Sequence, residues 1–287
     1  NPFTKDVIEV GNSPDDIIQY ANFFDLSKVN PQDLSRPLFI HLDMSLSGDK
    51  TGIGGVWITG KRPQVVGEDP SKELEFKLAF SVSVKAPKGF QVSFEKNRNF
   101  IRWLRDRGFA IKGVSSDTYQ SAQIQQQLKA DGFNTKILSV DRVDNTTKLC
   151  LPYSFFKSAI YERHIQIYKD CLLLTEELVS LERLSDGHID HPQNGSKDQA
   201  DAACGAIFLA SEFAEEYSYD YGENLETSLD VNVEASDEFK KHQMIAEFQE
   251  ELTKIYTEMA LANETIDYQK KQEYEMYQNI MDGIIVL

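Results

Sequence analysis

The order of the apolar segments restricts this chain more than any other feature. Pro37-Leu38-Phe39-Ile40-His41-Leu42-Asp43 is an apolar run that ends on an acid. The turn signal Ser47-Gly48-Asp49-Lys50 follows, and then a second strand-like stretch, Thr51–Thr59. Leu74–Lys85 alternates apolar and polar residues in its second half, as a third strand does. The period then becomes helical. Phe100, Ile101, Trp103 and Leu104 line one face of Phe94–Arg107, and Gly108 closes it. Ala110–Ser116 reads as a fourth strand running into Asp117, Tyr119–Ala130 as a helix stopped at Gly132, and Thr135–Val140 as a fifth strand. Tyr153–Leu184 is mainly helical in pattern, and Ser196–Phe213 is a helix. Three strands, then helix, strand, helix, strand and further helices predict a mixed α/β fold, a sheet flanked by helices.

The flanks differ from this body. Residues 1–36 are polar and mixed, with turn signals at Asn12-Ser13-Pro14 and Asn30-Pro31. They are expected to be a linker from an upstream domain, with a short helix at Asp15–Phe24. Residues 214–238 are acidic, tyrosine-rich and without period, as a connector is. Asp237–Met281 is helical in pattern, with Phe239, Met244, Ile245, Phe248, Leu252, Ile255, Tyr256 and Met259 forming an apolar stripe. The expected organisation is thus a linker over 1–36, a folded α/β domain over 37–213, and an acidic connector with a helical tail over 214–287.

A net charge of −16, evenly spread, would oppose nucleic-acid binding, but residues 211–287 hold 19 acidic and 5 basic side chains. The body is therefore close to neutral and free to approach a phosphate backbone. Cys150, Cys171 and Cys204 stand far apart without CxxC spacing, which argues against a structural zinc site and a disulfide framework. There is no secretory signal and no run of about 18 apolar residues, so no membrane association is expected.

Acids stand where chemistry would need them. Asp43 and Asp117 each end a predicted strand. If those strands are parallel neighbours, both carboxylates emerge at one sheet edge, where α/β folds place their ligand clefts. Gly195-Ser196-Lys197-Asp198-Gln199-Ala200-Asp201-Ala202-Ala203 opens the last helix. Ser196 is a natural N-cap, Asp198 suits the first turn, and Asp201 lies on the same helix face. Ala200, Ala202, Ala203, Gly205 and Ala206 form a small-residue surface that lets the helix approach the sheet closely. Several carboxylates converging on a point suit hard divalent cations, Mg²⁺ or Mn²⁺, and hydrolysis of a phosphodiester.

These residues resemble a known family. His41-Leu42-Asp43-Met44-Ser45, followed by the strand Gly52-Ile53-Gly54-Gly55-Val56, is similar to the opening of the nuclease domain of large terminase subunits. Those are the genome-packaging motors of tailed bacteriophages and herpesviruses. Val114-Ser115-Ser116-Asp117 resembles the family's second acidic position. His188-Ile189-Asp190-His191-Pro192 and the following Ser-Lys-Asp-x-x-Asp-Ala segment resemble its last one. The resemblance covers roughly residues 36–213. It implies an RNase H-like mixed sheet and a two-metal-ion endonuclease that cuts concatemeric double-stranded viral DNA. In that scheme Asp43 anchors both cations, Asp117 holds one, and Asp198 with Asp201 holds the other. The implied partners are an ATPase motor domain, for which this chain has no phosphate-loop motif, together with the portal and the small terminase subunit. The implied location is the host cytoplasm during virion assembly. Other RNase H-like nucleases, such as junction resolvases or transposases, stay open as alternatives, as does a non-catalytic assembly module.

Lys50 and Lys197 are candidate DNA-backbone contacts. His188 and His191 are expected to shape a loop, and Asp49, Asp141 and Asp144 to be turn acids. Arg98, Arg102, Arg105 and Arg107 recur at helical spacing beside Trp103, forming either a solvated face or a track for DNA.

Overall fold

The computed structural model describes residues 1–11, 19–44, 50–62, 73–88, 90, 92–117, 122–193, 195–213 and 284–285. In chain order the elements are β1 (Val7–Glu9), β2 (Leu38–Asp43), β3 (Thr51–Lys61), β4 (Leu74–Lys85), α1 (Phe94–Asp106), β5 (Ile111–Ser116), α2 (Ala122–Ala130) and β6 (Thr135–Ile137). Then follow α3 (Leu151–Tyr161), β7 (Ile165–Tyr168), α4 (Leu172–Ser180), the hairpin strands β8 (Glu182–Arg183) and β9 (Ile189–Asp190), α5 (Asp198–Glu212) and β10 (Ile284–Ile285).

β3 is antiparallel to both β2 and β4. β5 returns through α1 to lie parallel to β2, and β6 returns through α2 to lie parallel to β5. The sheet order is β10-β7-β4-β3-β2-β5-β6, a mixed sheet flanked by helices, as expected from the sequence. β2 lies inside the sheet, between β3 and β5. Its alternation divides the molecule: Leu38, Ile40 and Leu42 enter one apolar core, while Phe39 enters the other. His41 shares the Phe39 face, where its ring meets Gly205 of α5. α1, α2 and the N-terminal segment cover the first face, and α3, α4 and α5 the second.

Both ends of α1 follow local rules. The Ser93 hydroxyl accepts from the Lys96 amide at its start, and Gly108 at φ +90° follows its end. Gly132, at φ +87°, closes α2 likewise. Residues 119–121, expected as the start of that helix, lie outside the described residues.

Three expectations need correction. The segment read as a linker contributes β1, parallel to β4 along Ser83–Lys85, and its Phe3, Ile8, Val10, Tyr20 and Phe24 are buried. These apolar residues are too scattered in sequence to show a period, but they join one core, where Phe3, Tyr20 and Phe24 converge on Phe80 and Phe100. Of the helix expected at Asp15–Phe24, the described part is a 3-10 turn at Gln19–Phe23. Inside Tyr153–Leu184 the chain also makes β7, entered through Arg163 at φ 58°, and β7 pairs parallel with Phe76 and Lys77 of β4. Four residues are too few for alternation to compete with the helical pattern around them. The fifth strand stops at Ile137, although Leu138 and Val140 still reach the core. The connector, the tail helix and its apolar stripe lie outside the described residues. Only the backbone of Ile284–Ile285 is described there, as a parallel strand on β7.

Candidate active site

Register brings the first two acids together. Leu42 pairs with Ser116 in the parallel β2–β5 ladder, so Asp43 and Asp117, one residue further on, leave the sheet side by side. Asp43 and Asp117 face the α5 side, as do Phe39, His41, Gly113 and Ser115 two and four residues earlier. The His41 ring nitrogen Nδ1 lies 2.8 Å from Ser115 Oγ, and Gly113 faces Leu209 of α5.

α5 brings the other two. In the antiparallel β2–β3 ladder Asp43 pairs with Gly52, and His41 with Gly54. A Cβ on Gly52 would overlap the carbonyl of Asp198. A Cβ on Gly54 would fall 2.6 Å from the Ala202 carbonyl carbon and 2.8 Å from the Ala203 nitrogen. On the helix side a Cβ on Gly205 would overlap the His41 ring. Small residues on both surfaces thus let α5 lie backbone to backbone on β3. That seam sets the N-terminal turn of α5, with Asp198 and Asp201, against the end of β2.

Charge reports the convergence. The Asp43 carboxyl is held well above the usual carboxylate range, first by burial and then by the negative charges of Asp201 and Asp198, with Lys197 opposing and Asp117 adding. Asp201 is pushed up to about 7 by burial, against the opposing pull of the Lys197 ammonium and a hydrogen bond from Tyr153. Burial lowers His41 to about 4, so the imidazole is neutral. Among the described residues, however, no group of three or more His, Cys, Asp or Glu stands at ligand spacing for a metal ion. Gathered carboxylates repel one another, and here an internal cation stands among them. Lys197 Nζ lies 2.8 Å from Asp141 Oδ1, 3.5 Å from Asp201 Oδ2 and 3.2 Å from the Ile189 carbonyl.

Lys197, expected as a DNA contact, is therefore turned inward, because two nearby carboxylates outweigh its burial and raise its pKa. Lys50 immediately precedes β3, two residues before the partner of Asp43, so it stays at the site edge. Asp141 is more than a turn acid. Asp144 does close a turn, accepting at Oδ1 from the Thr146 and Thr147 amides. Asp49 lies outside the described residues. His191 shapes its loop through Nδ1, 2.8 Å from the Pro192 carbonyl oxygen, and His188 is exposed. The arginine helix is partly structural: Arg98 makes two bonds to Asp131, at 2.5 and 2.6 Å, and Arg105 donates to the Asp131 carbonyl. Those contacts pin the end of α2. All three cysteines are free and buried.

Two site residues have no signal in the local sequence. Glu177 of α4 caps α5 from outside: its Oε2 accepts from the Gln199 and Ala200 amides, each at 2.9 Å. Ser196, expected as the cap, instead places Oγ 2.8 Å from Glu177 Oε1 and 2.6 Å from Asp198 Oδ2. With Glu177 complementing the helix terminus, the capping role does not fall to Asp198. Tyr153 of α3 donates to Asp201 Oδ1 at 2.5 Å. Both contacts bridge separate helices, which no local spacing reveals.

Among solved structures the chain is similar to large terminase nucleases. One is the large terminase of bacteriophage HK97, with 12% identity over 62% of this chain, 40% of that one, and a TM-score of 0.45. A second is the large terminase nuclease of thermophilic phage G20c, with 15% identity over 61% of this chain and 82% of that one, at 0.42. A third is the SPP1 large terminase nuclease domain with bound Mn, with 10% identity over 73% of this chain and 98% of that one, at 0.34. This chain spans less than half the length of the HK97 protein. No family model and no curated protein sequence matches it.

Proposed function

We propose that the chain is a divalent-metal-dependent DNA endonuclease of the large terminase type, and that Asp43, Asp117, Asp198 and Asp201 form its centre. The observation that carries this reading is the arrival of four carboxylates from β2, β5 and α5 on one face at one sheet edge. Burying unneutralised carboxylates is costly, and Asp43 and Asp201 show that cost as raised pKa values. An all-oxygen, strongly anionic donor set fits Mg²⁺ or Mn²⁺ better than a softer metal. Asp43, central among the acids, would meet both ions, with Asp117 on one side and Asp198 with Asp201 on the other. Such ions, when bound, polarise water and offset charge at a phosphodiester.

The chain's own residues have the remaining tasks. The α5–β3 seam fixes the spacing of the acids, Glu177 holds the helix end that bears two of them, and Lys50 is placed at the rim to meet a DNA phosphate. Lys197 neutralises Asp141 and Asp201. We place the activity in the cutting of concatemeric viral DNA in the host cytoplasm, beside an ATPase motor, the portal and the small terminase subunit. Among the described residues no helix is long and apolar enough to cross a membrane.

Asp43→Asn tests the assignment. It should reduce Mn²⁺-dependent plasmid nicking by roughly 100-fold or more while circular dichroism stays that of wild type. Its melting temperature in chelator should hold or rise, since a buried charge is removed. Undiminished nicking by the purified variant overturns the reading.

A further inference from the structure

α3 contributes no carboxylate to the site, yet it reaches one. Tyr153 and Asp201 are 7% and 4% exposed, so their 2.5 Å hydrogen bond is sealed from bulk solvent. On its own helix Asp201 stands one turn from Lys197, Asp198, Cys204 and Gly205, and of these Lys197 reaches its carboxylate through a flexible side chain. The phenol is different. Its ring is fixed in the core with Phe156, Ala159 and Ile160 of the same helix, so the hydroxyl arrives from a fixed direction. It takes one oxygen of the carboxylate, Oδ1. The other, Oδ2, is the oxygen that faces the Lys197 ammonium, 3.5 Å away.

We propose that Tyr153 is a positioning residue that locks the Asp201 carboxylate, so that Asp201 meets a divalent cation through Oδ2 alone. This rests on the metal-dependent reading above. An oxygen already engaged by a short O–H donor in a buried seam has poor access to a second partner. Bidentate ligation would compete with that bond for Oδ1 and, where it displaced the donor, would leave a buried phenol unpaired. Partners that orient a metal ligand in this way typically contribute about 10–100-fold to affinity or activity.

Tyr153→Phe keeps the ring and removes only the donor. Titration calorimetry should show Mn²⁺ binding weakened about tenfold, with nicking recovered toward wild type as Mn²⁺ is raised. Phe156→Leu, a packing change in the same helix, should lower the melting temperature in chelator and leave Mn²⁺ affinity unchanged. A Tyr153→Phe protein that melts early but binds Mn²⁺ as wild type does would show the hydroxyl to be only structural and would overturn the inference. The proposed function would survive that result if Asp43→Asn still abolished binding. Absence of Mn²⁺ binding by wild type would overturn both.

Should Tyr153→Phe fail to fold, the wild-type chain still decides. The infrared difference spectrum on adding Mn²⁺ should carry the wide antisymmetric–symmetric carboxylate splitting of a one-oxygen ligand, and Asp201→Asn should remove that band. A narrow, two-oxygen splitting lost in Asp201→Asn overturns the inference.

Discussion

On one face of the sheet, ring packs against ring: Phe3, Phe24, Phe80 and Phe100 meet at centroid distances of 5.1–6.0 Å, and Tyr20 stacks on Phe100. On the other, α5 lies on Gly52 and Gly54 with almost no side chain between the backbones. The aromatic face buries much apolar surface in large side chains that can re-pack around a small error. The glycine seam has no such slack, because its contacts are with main chain. Both faces bury an apolar core, but the first holds its share in large rings with slack, and the glycine seam of the second sets the spacing of carboxylates on a rigid element.

That division is open to three tests. Phe100→Ala, in the middle of the aromatic cluster, should give the largest loss of stability, about 3–5 kcal/mol by chemical denaturation, while the molecules still folded bind Mn²⁺ normally. A matching loss of affinity in the folded fraction would show that the faces are not separable.

Gly54→Ala should do the reverse. Its Cβ would push on the Ala202 and Ala203 backbone, displacing α5 from β3. Mn²⁺-dependent nicking should fall about 100-fold if the acids separate by roughly an ångström, with less stability lost than in Phe100→Ala. Wild-type cutting by this variant would mean that the seam does not set the site.

The smallest effect concerns the acids themselves. Asp43 and Asp201 have folded-state pKa values above those of an unfolded chain, so the folded protein binds more protons. Their favourable contribution is complete below pH 4 and is lost as pH rises through about 7 for Asp201. In chelator, the melting temperature should therefore drop between pH 5 and pH 8, and Asp201→Asn should flatten that slope. Mn²⁺ at pH 8 should restore stability, since it binds only the assembled site. A pH-independent melting temperature would show that these carboxyls are not strained in the fold.

Most of the fold follows from short-range signals. The alternation in Leu74–Lys85, the helical face of Phe100, Ile101 and Leu104, and Gly108 and Gly132 as stops each depend on neighbours a few residues apart. The same holds for Asp43 and Asp117 as strand ends. The small residues from Ala200 to Ala206 marked a close helix–sheet contact, and the glycines of β3 are its other half.

Other features depend on residues far apart in the chain. Phe3 and Tyr20 read as linker residues until β4 and α1 stand beside them. β7 needs the free edge of β4 before four residues make a strand. Lys197 looks like an exposed cation from its sequence neighbours and becomes a partly buried, paired one when Asp141 arrives, 56 residues away. Glu177 and Tyr153 cap and orient parts of α5 across helix–helix gaps of 22 and 48 residues. Local periodicity is written in the residues that carry it. The partner of a buried polar group is settled only by packing, because the need for a hydrogen bond names no sequence position that must supply it.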